Sequence, residues 1–178
     1  MHQNSSINKI AFISIMVAFA SVIEVVFMFI PSLPQGGSIS LSLFPLFILA
    51  YKEGPFTGLL GAFIFGLVNF MLSGFQLYGI WQSFFLDYLL AFGLVGLSGF
   101  VFQINKESRG IFLAGIFVGS FIRFSMHYLS GVILFGEFAP EGTPAALYSL
   151  IYNGSYMLPS FLLLAVVGFF SFNRIQTL

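Results

Sequence analysis

Four ionisable side chains, Glu24, Asp87, Arg123 and His127, interrupt stretches that are otherwise apolar enough to cross a bilayer. A charge held within hydrocarbon costs about 2.5–3.5 kcal/mol on insertion scales, so such residues mark a candidate functional site and call for named partners. An acid beside a base can bind a charged or polar ligand, relay protons, or neutralise its neighbour.

Depth brings these groups together. At about 1.5 Å of rise per residue, Glu24, Asp87, His127 and Asn153 each fall roughly 9 to 12 Å below the outer surface, on four different segments. Arg123, His127, Gly131 and Phe135 recur every four residues and so share one helix face, running from mid-membrane to the outer mouth. Tyr148 and Tyr152 share a face of the last segment, with Asn153 and Tyr156 nearby, and Tyr88 follows Asp87. An acid, a base, an amide and several aromatic rings fit a pocket for a small, flat, polar ligand. Asp87 is the natural counter-charge for a cation, and the rings add stacking or cation–π attraction.

Each group also fits a purely structural role. Arg123 and Asp87 are equally compatible with an intramembrane ion pair, His127 with a satisfied core histidine, and Asn153 with an interhelical hydrogen bond. Tyr78, Trp81 and Tyr148 suit an aromatic belt at the outer boundary. These roles taken singly do not account for the shared depth.

Bond-breaking chemistry has little support. The chain has no cysteine, and hence no disulfide, thiolate metal site or cysteine nucleophile. No zinc helix or nucleophile elbow occurs, and Ser125 and His127 are two residues apart on a helix, pointing in different directions. No P-loop is present for ATP hydrolysis. The expectation is a binding or transport protein with no catalytic residues, metal or cofactor.

The elements that must position these groups are membrane helices. Hydrophobic residues make up 58% of the chain and charged ones only 7%, far below the roughly 25% of a soluble domain. Six segments are read as spans, at approximately 9–30, 40–52, 55–73, 81–102, 110–135 and 145–172, most near the ~20 residues a spanning helix needs. The second is the short one and holds Pro45, which leaves a tilted, kinked or partly buried segment open. The first runs past the length of a secretion signal and carries Glu24, so a permanent helix is expected. Lys9, Lys52, Lys106, Arg109 and Arg174 all fall on one side, and the alternate loops contain no Lys or Arg, only Glu137 and Glu141 as charges. By the positive-inside rule both termini are cytoplasmic. The predicted fold is an all-α integral membrane protein of six transmembrane helices, one domain over residues 1–178. With a formal net charge of +0, no nucleic-acid partner is expected.

The chain resembles the thiamine-specific substrate-binding component, or S-component, of energy-coupling-factor (ECF) transporters. The resemblance is carried by Pro34-Gln-Gly-Gly-Ser-Ile-Ser40, Pro45-Leu-Phe-Ile-Leu-Ala-Tyr-Lys52 and Leu86-Asp-Tyr-Leu-Leu-Ala-Phe92. It is strongest in Arg123-Phe-Ser-Met-His-Tyr-Leu-Ser-Gly131, Phe135-Gly-Glu-Phe-Ala-Pro-Glu-Gly142 and Leu147-Tyr-Ser-Leu-Ile-Tyr-Asn-Gly154. It implies capture of thiamine in the prokaryotic cytoplasmic membrane, and delivery within a complex with a transmembrane coupling subunit and two ABC-type ATPases. It also implies ligand contacts at Asp87, Tyr88, His127, Gly131, Tyr148 and Asn153, joined by Arg123, Phe135 and Tyr78, with Gln35 and Gly36 in a lid. The family commonly has Glu where this chain has Asp87, Lys where it has Arg123 and Trp where it has Phe135.

Coupling to a membrane partner calls for close helix approach. Ala11, Ser14, Ala18 and Ser21 form a small-residue stripe on the first span, suited to a partner helix or to the protein's own bundle. S-components are similar in using an Ala-x-x-x-Ala pattern there, where this chain has Ser14 and Ala18. Two rival readings stay open: an S-component for another small vitamin or a thiamine precursor, and a stand-alone proton-coupled carrier using Glu24, Asp87 and His127.

Overall fold

A computed structural model describes residues 2–34, 36–77 and 81–178. The described residues form helices and no strands. We label them α1 (His2–Phe27), α2 (Leu43–Glu53), α3 (Pro55–Leu72), α4 (Phe84–Phe102), α5 (Arg109–Ile133) and α6 (Ala145–Thr177). A short 3-10 turn, Gly136–Phe138, lies between α5 and α6.

All except α2 are long and apolar enough to cross a membrane. With 11 residues α2 is only about 16 Å long. Its sequence explains how it is tolerated: Leu43 and every residue from Pro45 to Tyr51 are buried, so the helix is enclosed by protein rather than lipid. Pro45 does not kink it. It stands in the first turn, where no intrahelical N–H bond is required. Gly54, at φ 85°, turns the chain in one residue, and Pro55 opens α3.

The remaining boundaries differ from the sequence reading at their ends. Ser108 caps α5 through its side chain, accepting from Ile111 N at 3.3 Å, so the helix starts at Arg109. The last helix continues past Phe172 to Thr177 as a polar extension. Within α4 the first turns are π-type over Phe84–Leu90, followed by a 3-10 stretch at Leu94–Leu97. Such π turns often accompany functional positions, and this one carries Asp87 and Tyr88.

The packed core occupies the half of the bundle near Lys52, Lys106 and Arg109. Tyr51, Phe102 and Phe112 meet there with ring centroids 5.2–5.8 Å apart, and Phe47 joins them. Tyr51 OH donates to Lys106 O, Lys52 Nζ to Gln176 O at 3.2 Å and Arg109 Nη2 to Asn173 Oδ1 at 3.0 Å, which ties the cationic ends together. Helices α3 and α4 touch backbone to backbone. A Cβ on Gly96 would lie 2.1 Å from Leu59 N. The other half of the bundle is left open around a cavity.

Candidate functional site

That cavity encloses about 390 Å³, within the roughly 300–1,000 Å³ of small-molecule sites. The whole α5 stripe, Arg123, His127, Gly131 and Phe135, lines it. Asp87 and Tyr88 face it from α4, Tyr148 and Asn153 from α6, Glu24 from α1 and Gly36 from the connection after α1. Residues spread over more than 120 positions thus converge on one space. Gln35 and Tyr78 lie outside the described residues.

Asp87 is held from two sides. His127 Nδ1 stands 3.0 Å from its Oδ1, and Ser130 Oγ donates to its Oδ2 at 2.7 Å. Both donors come from α5, one turn apart, so the carboxylate is oriented by a single helix. Asp87 therefore pairs with His127 and not with Arg123. The Arg123 guanidinium instead lies over the Phe92 ring, 4.5 Å from its centroid, a cation–π contact at the cavity wall. Among the described residues Arg123 Nε and His127 Nε2 are buried with no hydrogen-bond partner.

On α6, Asn153 is largely consumed by the protein. Its Nδ2 donates to Ser149 O at 3.0 Å and Ser149 Oγ at 3.1 Å, and its Oδ1 accepts from Tyr156 OH at 2.8 Å. Its Nδ2 also reaches His127 O at 3.3 Å, so the interhelical role read as an alternative is present together with a place on the cavity wall. Tyr156 meets His127 edge-on, with centroids 6.5 Å apart. Tyr88 OH donates to Gln76 O at 3.1 Å, and its ring packs on Phe70. Phe135 packs on Phe138.

Glu24 has its own partner. Ser40 Oγ donates to Glu24 Oε2 at 2.8 Å, and Ser40 N donates to Ser160 Oγ at 3.2 Å. The acid of α1 is thereby tied through Ser40 to the start of α2 and to α6. Ser125 Oγ donates to Phe121 O at 2.9 Å.

Several wall residues have weak sequence signals. Ser83, Ser40 and Gln76 are too ordinary in type to stand out, as is Ser130, buried behind the wall against Asp87, although it is three residues from His127. Asn69 carried a readable signal, an amide within the apolar run of α3. It lines the cavity, is 6% exposed and keeps Nδ2 without a partner.

The α1 stripe faces outward. Ala11, Ser14 and Ala18 are exposed, whereas Ile13, Val17 and Ala20 supply the packing against the bundle. Ser21 is half-buried at its edge and bonds to Val17 O. No group of three or more His, Cys, Asp or Glu able to hold a metal occurs among the described residues.

Residues 10–178 match the family model described as Thiamine transporter protein (Thia_YuaJ). The Thiamine transporter ThiT of Bacillus subtilis (strain 168) is 35% identical over 177 residues, covering 94% of this chain and 91% of that one. The Thiamine transporter ThiT of Lacticaseibacillus paracasei (strain ATCC 334) is 32% identical over 187 residues, covering 94% and 89%. In fold, the chain is similar to the solved structure of ThiT from Listeria monocytogenes, with a TM-score of 0.84, 21% identity and 97% of each chain covered.

Proposed function

The chain belongs to the thiamine transporter protein family, and from that membership we propose that it captures thiamine in the cavity between α3, α4, α5 and α6. It is a transporter and not an enzyme. The observation that carries the site is Asp87: a carboxylate gripped by His127 and Ser130 at the wall of an aromatic-rich cavity. Thiamine combines a cationic thiazolium with a flat aminopyrimidine. Asp87 balances the charge or accepts from the amino edge, and the rings of His127, Phe135, Tyr88 and Tyr148 offer stacking faces. Gly131 and Asn153 shape the wall between α5 and α6, Arg123 closes its deep end, and Gly36 covers it.

We further propose that the protein is the substrate-binding subunit of an ECF-type assembly in the cytoplasmic membrane. Both termini and the Lys52, Lys106, Arg109 end then face the cytoplasm. The outward stripe of Ala11, Ser14 and Ala18, with Ser21 at its edge, supports docking of a membrane coupling subunit, whose two ATPases supply the energy.

The test is calorimetric titration of the purified protein with thiamine and with riboflavin, beside Asp87→Asn. One-to-one thiamine binding, weakened about tenfold or more by the substitution, is expected for loss of a charged hydrogen-bonding group. Folded protein that binds riboflavin and ignores thiamine would overturn the ligand assignment.

A further inference from the structure

Asn69 is an amide that the protein leaves unused at the cavity wall. Gly61, Ala62, Phe65 and Gly66 belong to the buried face of α3, and Asn69 ends that face, only 6% exposed. Its Nδ2 has no hydrogen-bond partner among the described residues, and no bond to its Oδ1 is seen there either. A buried amide without a partner is costly, and in a membrane helix a neighbouring helix commonly satisfies it. Here the neighbouring space is the cavity, which Asn69 lines.

The contact of α3 with α4 sets its position. Gly66, three residues earlier and on the same face, lies against the backbone of α4: a Cβ there would stand 2.6 Å from Tyr88 O and 3.3 Å from Phe92 Cβ. That face of α3 thus meets α4 between the π-type turn carrying Asp87 and the Phe92 ring that carries the Arg123 guanidinium. The amide on the α6 wall, by contrast, is committed. Asn153 Nδ2 has three acceptors within reach for its two hydrogens, Ser149 O, Ser149 Oγ and His127 O, and its Oδ1 accepts from Tyr156 OH.

We propose that Asn69 is a ligand-contacting residue: from the α3 side, its amide hydrogen-bonds the amino-bearing edge of the captured aminopyrimidine. The contact rests on the thiamine reading and gives α3 a direct part in it. The chemistry selects that edge. With no protein partner holding its plane, the amide can offer its oxygen and its NH2 to a group that presents a donor beside an acceptor. The amino group and adjoining ring nitrogen of an aminopyrimidine do so, as the edge of adenine does for asparagine. The thiazolium offers positive charge instead, which an amide cannot neutralise. Asn153, already bonded through both atoms, braces α6 against α5. An amide kept free in this way costs the empty protein stability, and it gives up no protein bond when ligand arrives.

The full chain is compared with Asn69→Leu, which is apolar and similar in size, and with Asn69→Ala, which is smaller and brings no clash. Without ligand, Asn69→Leu should unfold about 2–4 °C higher, because it removes an unsatisfied buried amide. An equal or lower unfolding temperature would show the amide already satisfied and overturn its reservation for ligand. Calorimetric titration follows, with thiamine and with the analogue that carries hydrogen in place of the amino group. Both variants should bind thiamine about tenfold more weakly than the unmodified protein. Removing the ligand's amino group should cost the unmodified protein about tenfold in affinity but the variants at most about threefold, because their contact is already lost. Unchanged thiamine affinity in the variants, or equal penalties for the analogue in all three proteins, would overturn the contact. Unmodified protein that binds neither compound would overturn the thiamine reading and this contact with it, and a raised unfolding temperature of Asn69→Leu would then still mark the amide as free.

Discussion

The Ser149 hydroxyl occupies the space that a side chain at Gly131 would need. A Cβ built on Gly131 lies 2.2 Å from Ser149 Oγ and 3.3 Å from Asn153 Nδ2. Ser149 cannot simply turn away, because it donates to Tyr128 O at 2.8 Å and accepts from Asn153. This contact brings α5 close to α6 beside the ligand cavity. Gly131→Ala should cost about 1–3 kcal/mol through overpacking, read as a lower unfolding temperature of the purified protein. Adding Ser149→Ala should recover part of that loss, whereas the two effects would simply add if the residues were independent.

Ser130 makes a more selective test of the site. Its hydroxyl is fully buried and its one described bond is to Asp87 Oδ2. Ser130→Ala removes a hydrogen bond to a charged group, commonly about 1.5–3 kcal/mol. Thiamine affinity should fall about tenfold or more, while His127 still holds Oδ1. Calorimetry on Ser130→Ala and Asp87→Asn together with the double variant would show whether the serine acts through the carboxylate. In that case the double variant binds no worse than Asp87→Asn alone.

What could be read in advance divides along physical lines. Glu24, Asp87, His127 and Asn153 were legible because a charge or amide in an apolar segment is costly, and helix rise gave their common depth. The α5 stripe was legible because period four is a local property. Which acid would pair with which base was not, since helix rotation about its own axis is set by packing between helices. Asp87 thus meets His127, and Arg123 turns to Phe92. Ser130 stayed hidden because a serine in a membrane helix carries no cost that marks it. The Tyr152–Gly36 bond joins residues 116 positions apart, beyond any local pattern. The second span was read as the short one, open to tilting, kinking or burial by its neighbours. Eight of its 11 residues are buried, and how far such a short helix is enclosed depends on its neighbours rather than on its own hydrophobicity.

The crossing of α3 and α4 should be the least tolerant part of the fold. At Gly96 an added Cβ meets Leu59 N at 2.1 Å and Leu59 Cα at 2.5 Å, and backbone atoms cannot swing aside as side chains do. Gly96→Ala should therefore force the helices apart and destabilise by about 3 kcal/mol, at or beyond the upper end of ordinary overpacking. Thermal unfolding of the variant should show a larger fall than Gly131→Ala, whose clash is with a hydroxyl. The reverse order would mean that α3 and α4 can separate cheaply.

The proposed partner face can be tested apart from the cavity. Ala18 is exposed on α1 in line with Ala11 and Ser14, on the side away from the packing residues Val17 and Ala20. Small residues there let another helix approach closely, and a larger side chain would hold it off. Ala18→Leu remains apolar, so it suits lipid and leaves the bundle interior untouched. Thiamine titration should be unchanged in the variant. Uptake into cells carrying the energised complex should fall several-fold, and less coupling subunit should co-purify. On the proposed dependence on partner ATPases, the isolated protein in vesicles with an imposed proton gradient should bind thiamine without accumulating it. Accumulation in those vesicles, together with normal uptake by Ala18→Leu, would point instead to a carrier that works alone through Glu24, Asp87 and His127.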